Sequence, residues 1–213
     1  MSSLLAETIP LALAAAISPV LFLLQLNTLT GARPIARGAA LLAGAAVVLI
    51  VVSSLGVALG NTSFNTNDTL QAWIKIGFGV LLMLVGLRAL IRPPKPKKTD
   101  PDEKPKGVRR SLLAGAGAMA SNITTFALYI PALVLIAGSD IGAGQRALVA
   151  LIILLITLSI AWVPLLAAIV VPGATTRWLP ALGDWMTRND RWIQVALGFG
   201  FGILLFVNGI DAL

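Results

Sequence analysis

Six long apolar stretches separated by polar or charged segments organise the chain: Leu4–Leu29, Ile35–Leu59, Leu70–Ile91, Ser111–Ala137, Ala147–Val171 and Trp192–Leu213. Each is long enough to cross a hydrocarbon core of about 30 Å, for which a helix needs about 20 residues. Only helices and closed barrels satisfy their backbone in lipid, and a barrel strand would alternate over about 10 residues rather than run continuously apolar. The pattern predicts an all-α membrane protein with six transmembrane helices. The small-residue run Ala14–Ala16 resembles a signal cleavage site, but the first basic residue is Arg33. The positive n-region of a signal peptide is missing, so the first stretch is expected to stay as a helix.

Composition narrows the function. Of 213 residues, 57% are hydrophobic and 12% charged, against about 25% charged in a soluble domain. Disorder of the bulk is excluded, because it needs low hydrophobicity. There is no Cys and no His, which removes disulfides, thiolate metal sites, imidazole bases and haem ligation by His. No acidic residue falls near the middle of an apolar stretch, whereas proton pumps and divalent-cation carriers use carboxylates at that depth. Glu7 and Asp211 lie near helix ends, as hydrated caps. Without paired carboxylates, His or clustered Arg, a membrane enzyme is not expected. No cofactor, metal or nucleic acid is expected either. The substrate class left is organic and lipid-like, handled by small polar side chains, freed carbonyls and helix ends.

The distribution of the 16 Lys and Arg predicts topology. Arg33 and Arg37 flank the first connection, the run from Arg88 to Arg110 the third, and Arg177, Arg188 and Arg191 the fifth; only Lys75 and Arg146 fall on the other side. Lys and Arg resist translocation, so the odd-numbered connections are expected in the cytoplasm and both termini outside. The third connection, PPKPKKTDPDEKPKG at 93–107, has no large apolar residue and reads as a flexible linker. In the fifth, Trp178, Leu182, Trp185 and Met186 recur at helical spacing. They predict a short interfacial helix near 175–189 with its tryptophans at headgroup level.

Two halves are visible. GVLLMLVGLRAL at 79–90 matches GILLFVNGIDAL at 202–213 at two Gly, three Leu and one Ala, and each helix opens with Trp-Ile, at Trp73 and Trp192. Halves of three helices each enter the membrane from opposite sides, as in the inverted repeats of many secondary transporters. The expected organisation is a first three-helix repeat at 1–92, a charged cytoplasmic linker at 93–108, and a second repeat at 109–213 carrying the interfacial helix.

Transporter sites tend to lie where helices are interrupted near the midplane of such repeats. Ser18-Pro19 interrupts the first stretch, and Pro19 has no N–H for the Ala15 carbonyl. Gln25 and Asn27 follow. The equivalent fourth stretch carries Ser121, Asn122, Thr124 and Thr125, then Tyr129 and Pro131. Pro164 frees the Ile160 carbonyl in the fifth stretch in the same way. The candidate substrate-binding set is Ser18, Pro19, Gln25, Asn27, Ser121, Asn122, Thr125 and Tyr129. Asn122 has two readings, substrate contact or hydrogen-bonded glue between helices. Gly198 and Gly202 form a GxxxG pattern, read as packing within the chain in preference to a dimer interface.

AISPVLFLLQLN at 16–27, followed by the basic turn GARPIARGAALLAGAA at 31–46, resembles the first half of the GAP proteins. These are glycopeptidolipid- and sulfolipid-addressing proteins of mycobacteria and relatives, within the lysine-exporter superfamily. Relatives often carry Asn-Pro in the fourth helix, where this chain has Asn122-Ile123. The resemblance implies export or delivery of an amphipathic molecule across an actinobacterial inner membrane, by a multi-pass transporter or by an accessory subunit of a larger lipid-export machine. Amino-acid export is the superfamily's other activity. A second copy of the chain and a larger lipid-transport protein are the partners it leaves open.

Overall fold

A computed structural model describes residues 2–30, 33–61, 68–91, 107–171, 173 and 178–213. Among these residues the chain is helical throughout, with no strand: α1 (Ser2–Ala16), α2 (Pro19–Leu29), α3 (Pro34–Asn61), α4 (Asp68–Ile91), α5 (Val108–Ala120), α6 (Ile123–Ala137), α7 (Ala143–Thr157), α8 (Ser159–Val170) and α9 (Trp178–Ile210). Three helices, α3, α4 and α9, are each long and apolar enough to cross a membrane. The pairs α1/α2, α5/α6 and α7/α8 bend by 57°, 70° and 64° at short breaks, and counting each pair as one span brings the total to six.

Each break has a local cause. Proline disfavours helical geometry in the residue before it, and Ser18 is extended, at φ −127° and ψ 97°. Pro19 then occupies the first turn of α2, where its missing N–H costs nothing. Asn122 caps α6 with its side chain, accepting from the Thr125 amide. The α7/α8 break at Leu158 has no side-chain cap. It lies just N-terminal to Ile160, the carbonyl that Pro164 leaves without a partner and that its ring crowds.

Small residues set the packing. α3 meets α5 where Gly44 faces the Leu112 carbonyl and Gly115 faces the Leu41 carbonyl, so close that a Cβ at either position would collide with backbone. α4 meets α9 through glycines as well: a Cβ on Gly198 would lie 2.6 Å from the Gly86 Cα. In lipid there is no hydrophobic drive between helices, so association relies on such close backbone approach. Gly198 and Gly202 therefore pack within the chain. The core gathers Leu41, Leu49, Leu128, Tyr129, Ile136 and Ile153, all fully buried. Leu13, Val47, Leu84, Leu113 and Leu151 are exposed, an apolar exterior suited to lipid.

The expected interfacial helix is part of a longer one. The helix near 175–189 is not a separate element: from Trp178 it is the opening of α9, a continuous helix of 33 residues. Its buried stripe is Leu179, Gly183 and Met186, while Trp178 and Trp185 face outward. Leu179 and Met186 pack on Phe22 of α2. Of the charged linker expected at 93–108, residues 93–106 lie outside the described residues, as do 174–177, and Val108 already opens α5.

Candidate functional site at the meeting of two helix breaks

The breaks in α1/α2 and α5/α6 meet. Asn122 Nδ2 donates to Ser18 Oγ at 2.9 Å, across 104 residues of sequence. Ser18 Oγ also accepts from the Leu21 amide at 3.4 Å. Asn122 Oδ1 accepts from the Thr125 amide at 3.2 Å, and Thr125 Oγ1 donates to the Ala15 carbonyl at 3.0 Å. Two side chains from one break thus hold one side chain and one carbonyl of the other. Ser18 and Thr125 are 5% and 2% exposed and Asn122 is half-buried, so the Thr125–Ala15 bond in particular forms away from water. That setting makes an unpaired polar group costly.

The Ala15 carbonyl is free of its helical partner, as the proline requires, and one of its two acceptor sites is taken. The Thr125 hydroxyl occupies it. The four groups touch directly. What the junction still offers follows from its donors. A hydroxyl has one proton and two acceptor sites. Ser18 Oγ accepts from both Asn122 and Leu21, which leaves its proton to donate. The second Asn122 N–H is also left for an acceptor beyond Ser18. Both α2 and α6 begin here, so the positive ends of two helix dipoles converge on one point. The arrangement suits an electron-rich or anionic group.

The other candidates lie elsewhere. Gln25, fully buried one to two turns along α2, donates through Nε2 to the Gly38 carbonyl of α3 at 3.3 Å. Asn27 is half-buried near the end of α2. Ser121 is exposed and bonds back to the Ala118 carbonyl at 3.2 Å. Tyr129 is buried against α3, its hydroxyl 2.7 Å from Ser53 Oγ. Since Ser53 donates to the Leu49 carbonyl, the tyrosine is the donor of that pair. The tyrosine links α6 to α3 rather than facing the junction. Ser53 escaped the sequence reading because a lone serine in an apolar helix carries no pattern. Lys75 was counted only for topology, although a basic residue inside an apolar helix is itself a signal.

No curated protein and no solved structure matches the chain significantly. A family model described as Sap, sulfolipid-1-addressing protein, matches residues 8–211. Because the match covers nearly the whole chain and reaches into each helix of the described residues, including both breaks of the junction, the chain belongs to the sulfolipid-1-addressing protein family.

Proposed function

We propose that the chain is a multi-pass transporter that moves a lipid or other amphiphile across the membrane, with its two halves arranged as inverted three-helix repeats about the Ser18–Asn122 junction. The family's name concerns the addressing of a sulfolipid, which supports a lipid substrate. The observation that carries the reading is the direct contact of two broken helices through their breaks. Discontinuous helices at a repeat interface are where secondary transporters place substrate. In this state the junction is closed by its own hydrogen bonds. Substrate entry exchanges them for bonds to its headgroup, and the halves rock as the contact is released and reformed.

The packing supports two related halves. A two-fold relation requires that if one position contacts a second, their equivalents also meet. In the 79–90 and 202–213 match, Gly79 corresponds to Gly202, and these face each other: a Cβ on Gly79 would lie 2.8 Å from the Gly202 carbonyl. Gly86 corresponds to Gly209. Gly86 meets Gly198 of α9, and Gly209 meets Ile76 of α4, close to the image of that contact. Likewise α3 packs on α5, and α7 and α8 pack on α1 and α2.

Reconstitution in liposomes tests the proposal. Asn122→Leu keeps a similar volume and removes every hydrogen bond. Transport of a labelled amphiphile should fall by at least tenfold while the folded protein loses only about 1 kcal/mol, two bonds at the average of about 0.6 kcal/mol for such bonds in membranes. A loss confined to stability would make Asn122 glue. Absence of transport by the purified wild-type chain would assign it instead to an accessory role beside a larger export machine.

A further inference from the structure

A second site lies away from the junction, at the end of the bundle where α1 and α4 begin and α9 ends. A cavity of about 210 Å³ opens there between α1, α4, α6 and α9. Its apolar wall includes Leu135, Phe201 and Leu205, and its polar groups are Glu7, Lys75 and Asn208. Lys75 is half-buried in α4, six residues beyond the start of the apolar span at Thr69, about 9 Å along the axis at 1.5 Å per residue. A charge at such depth is costly and marks a functional position unless water or a partner meets it. The cavity is what meets it.

The remaining polar groups are acceptors or mixed. Ala6 and Pro10 also line the space, and Pro10, inside α1, has no N–H for the Ala6 carbonyl. Glu7 and Asn208 are exposed at the rim. The set is therefore one inner cation, with a carboxylate and an amide at the rim. An oxyanion fits the ammonium, and hydroxyl donors fit the acceptors. The volume is below the roughly 300–1,000 Å³ of pockets that enclose a drug-sized ligand. It suits a headgroup, with the acyl chains left along the exposed apolar faces.

We infer that this cavity binds the anionic, hydroxyl-bearing headgroup of a membrane lipid, with Lys75 as counter-ion. The site is independent of the junction, and so is its test, which involves no transport step. Phosphatidylglycerol, whose phosphate and glycerol hydroxyls match the two kinds of group, is titrated onto the purified full chain in neutral detergent. Binding is followed by native mass spectrometry. It should exceed that of phosphatidylcholine and phosphatidylethanolamine. Lys75→Gln should weaken it about fivefold or more, the effect of one basic residue on an anionic headgroup, and Lys75→Arg should retain it. Ala6→Phe, which intrudes on the cavity and keeps the lysine, should also weaken it. Equal binding of the three lipids, wild-type affinity in Lys75→Gln or Ala6→Phe, or displacement of the lipid by millimolar inorganic phosphate would each overturn the proposal; the last would mark a site for a small free anion.

Discussion

The junction rests on four polar groups, and the worth of each follows from what it leaves behind. Removing the Thr125 hydroxyl strands the Ala15 carbonyl in a buried position, because Pro19 has already taken away its helical donor. Thr125→Val preserves shape and exposes that deficit. It should destabilise the protein by about 1–3 kcal/mol, the cost of an unsatisfied buried group, seen as a lower unfolding midpoint in detergent. Thr125→Ser should recover most of it. An unchanged midpoint in the valine variant would mean the carbonyl has another partner. At this scale the sequence made Ser18, Pro19, Asn122 and Thr125 legible, since a proline and a primary amide inside apolar runs violate the local rule for membrane helices. Gln25 and Tyr129 violate it as visibly. Their partners, the Gly38 carbonyl and Ser53, are unremarkable in sequence, so nothing marked those two as structural links.

Between elements, glycine decides how near two backbones approach. Gly44 and Gly115 bring α3 and α5 into contact with each other's carbonyls, and no side chain can be accommodated without separating the helices. Gly44→Leu should therefore abolish stable folding, measured as loss of a monodisperse species after extraction. Gly117 sits in the same α5 with nothing within 4 Å of an added Cβ. Gly117→Ala should be neutral or stabilising by about 0.5–1 kcal/mol, the helix preference of alanine. If the two substitutions behaved alike, close approach would not be what holds α3 to α5. The continuity of α9 belongs to this scale too. The polar stretch Asn189-Asp190-Arg191 lies between the expected interfacial helix and the last apolar stretch, but it holds no glycine or proline to stop a helix. Hydropathy changes there; backbone geometry does not.

For the whole molecule, topology is the property that the transport proposal most depends on. The native chain has no cysteine, so single-cysteine variants report without background. Asp140 is exposed near the start of α7, and Asp184 is exposed in the first part of α9. Asp140→Cys should react with an impermeant thiol reagent in intact cells, and Asp184→Cys only after permeabilisation. The reverse result would invert the orientation, and labelling of both from outside would remove the inverted repeat. α9 bears on this as well: 33 residues extend about 50 Å, well beyond a hydrocarbon core of about 30 Å. Its Trp178–Arg188 end is therefore free to project past the bilayer core.

The sequence by itself determined what is additive along the chain. Long apolar runs specify membrane helices one at a time, and the absence of Cys and His excludes whole classes of chemistry at any geometry. A proline removes one backbone donor wherever its helix lies, although Pro10, Pro131 and Pro164 sit inside continuous helices. The tertiary structure decided what depends on pairs. It brought the first break to the fourth stretch rather than the fifth, gave the Ala15 carbonyl to Thr125, sent Tyr129 to Ser53, and set Lys75 of α4 beside a cavity shared with α1, α6 and α9. Hydrogen-bond and packing energies act only over contact distance. Which residues come within that distance is settled by how helices far apart in sequence approach one another, and no single stretch encodes it.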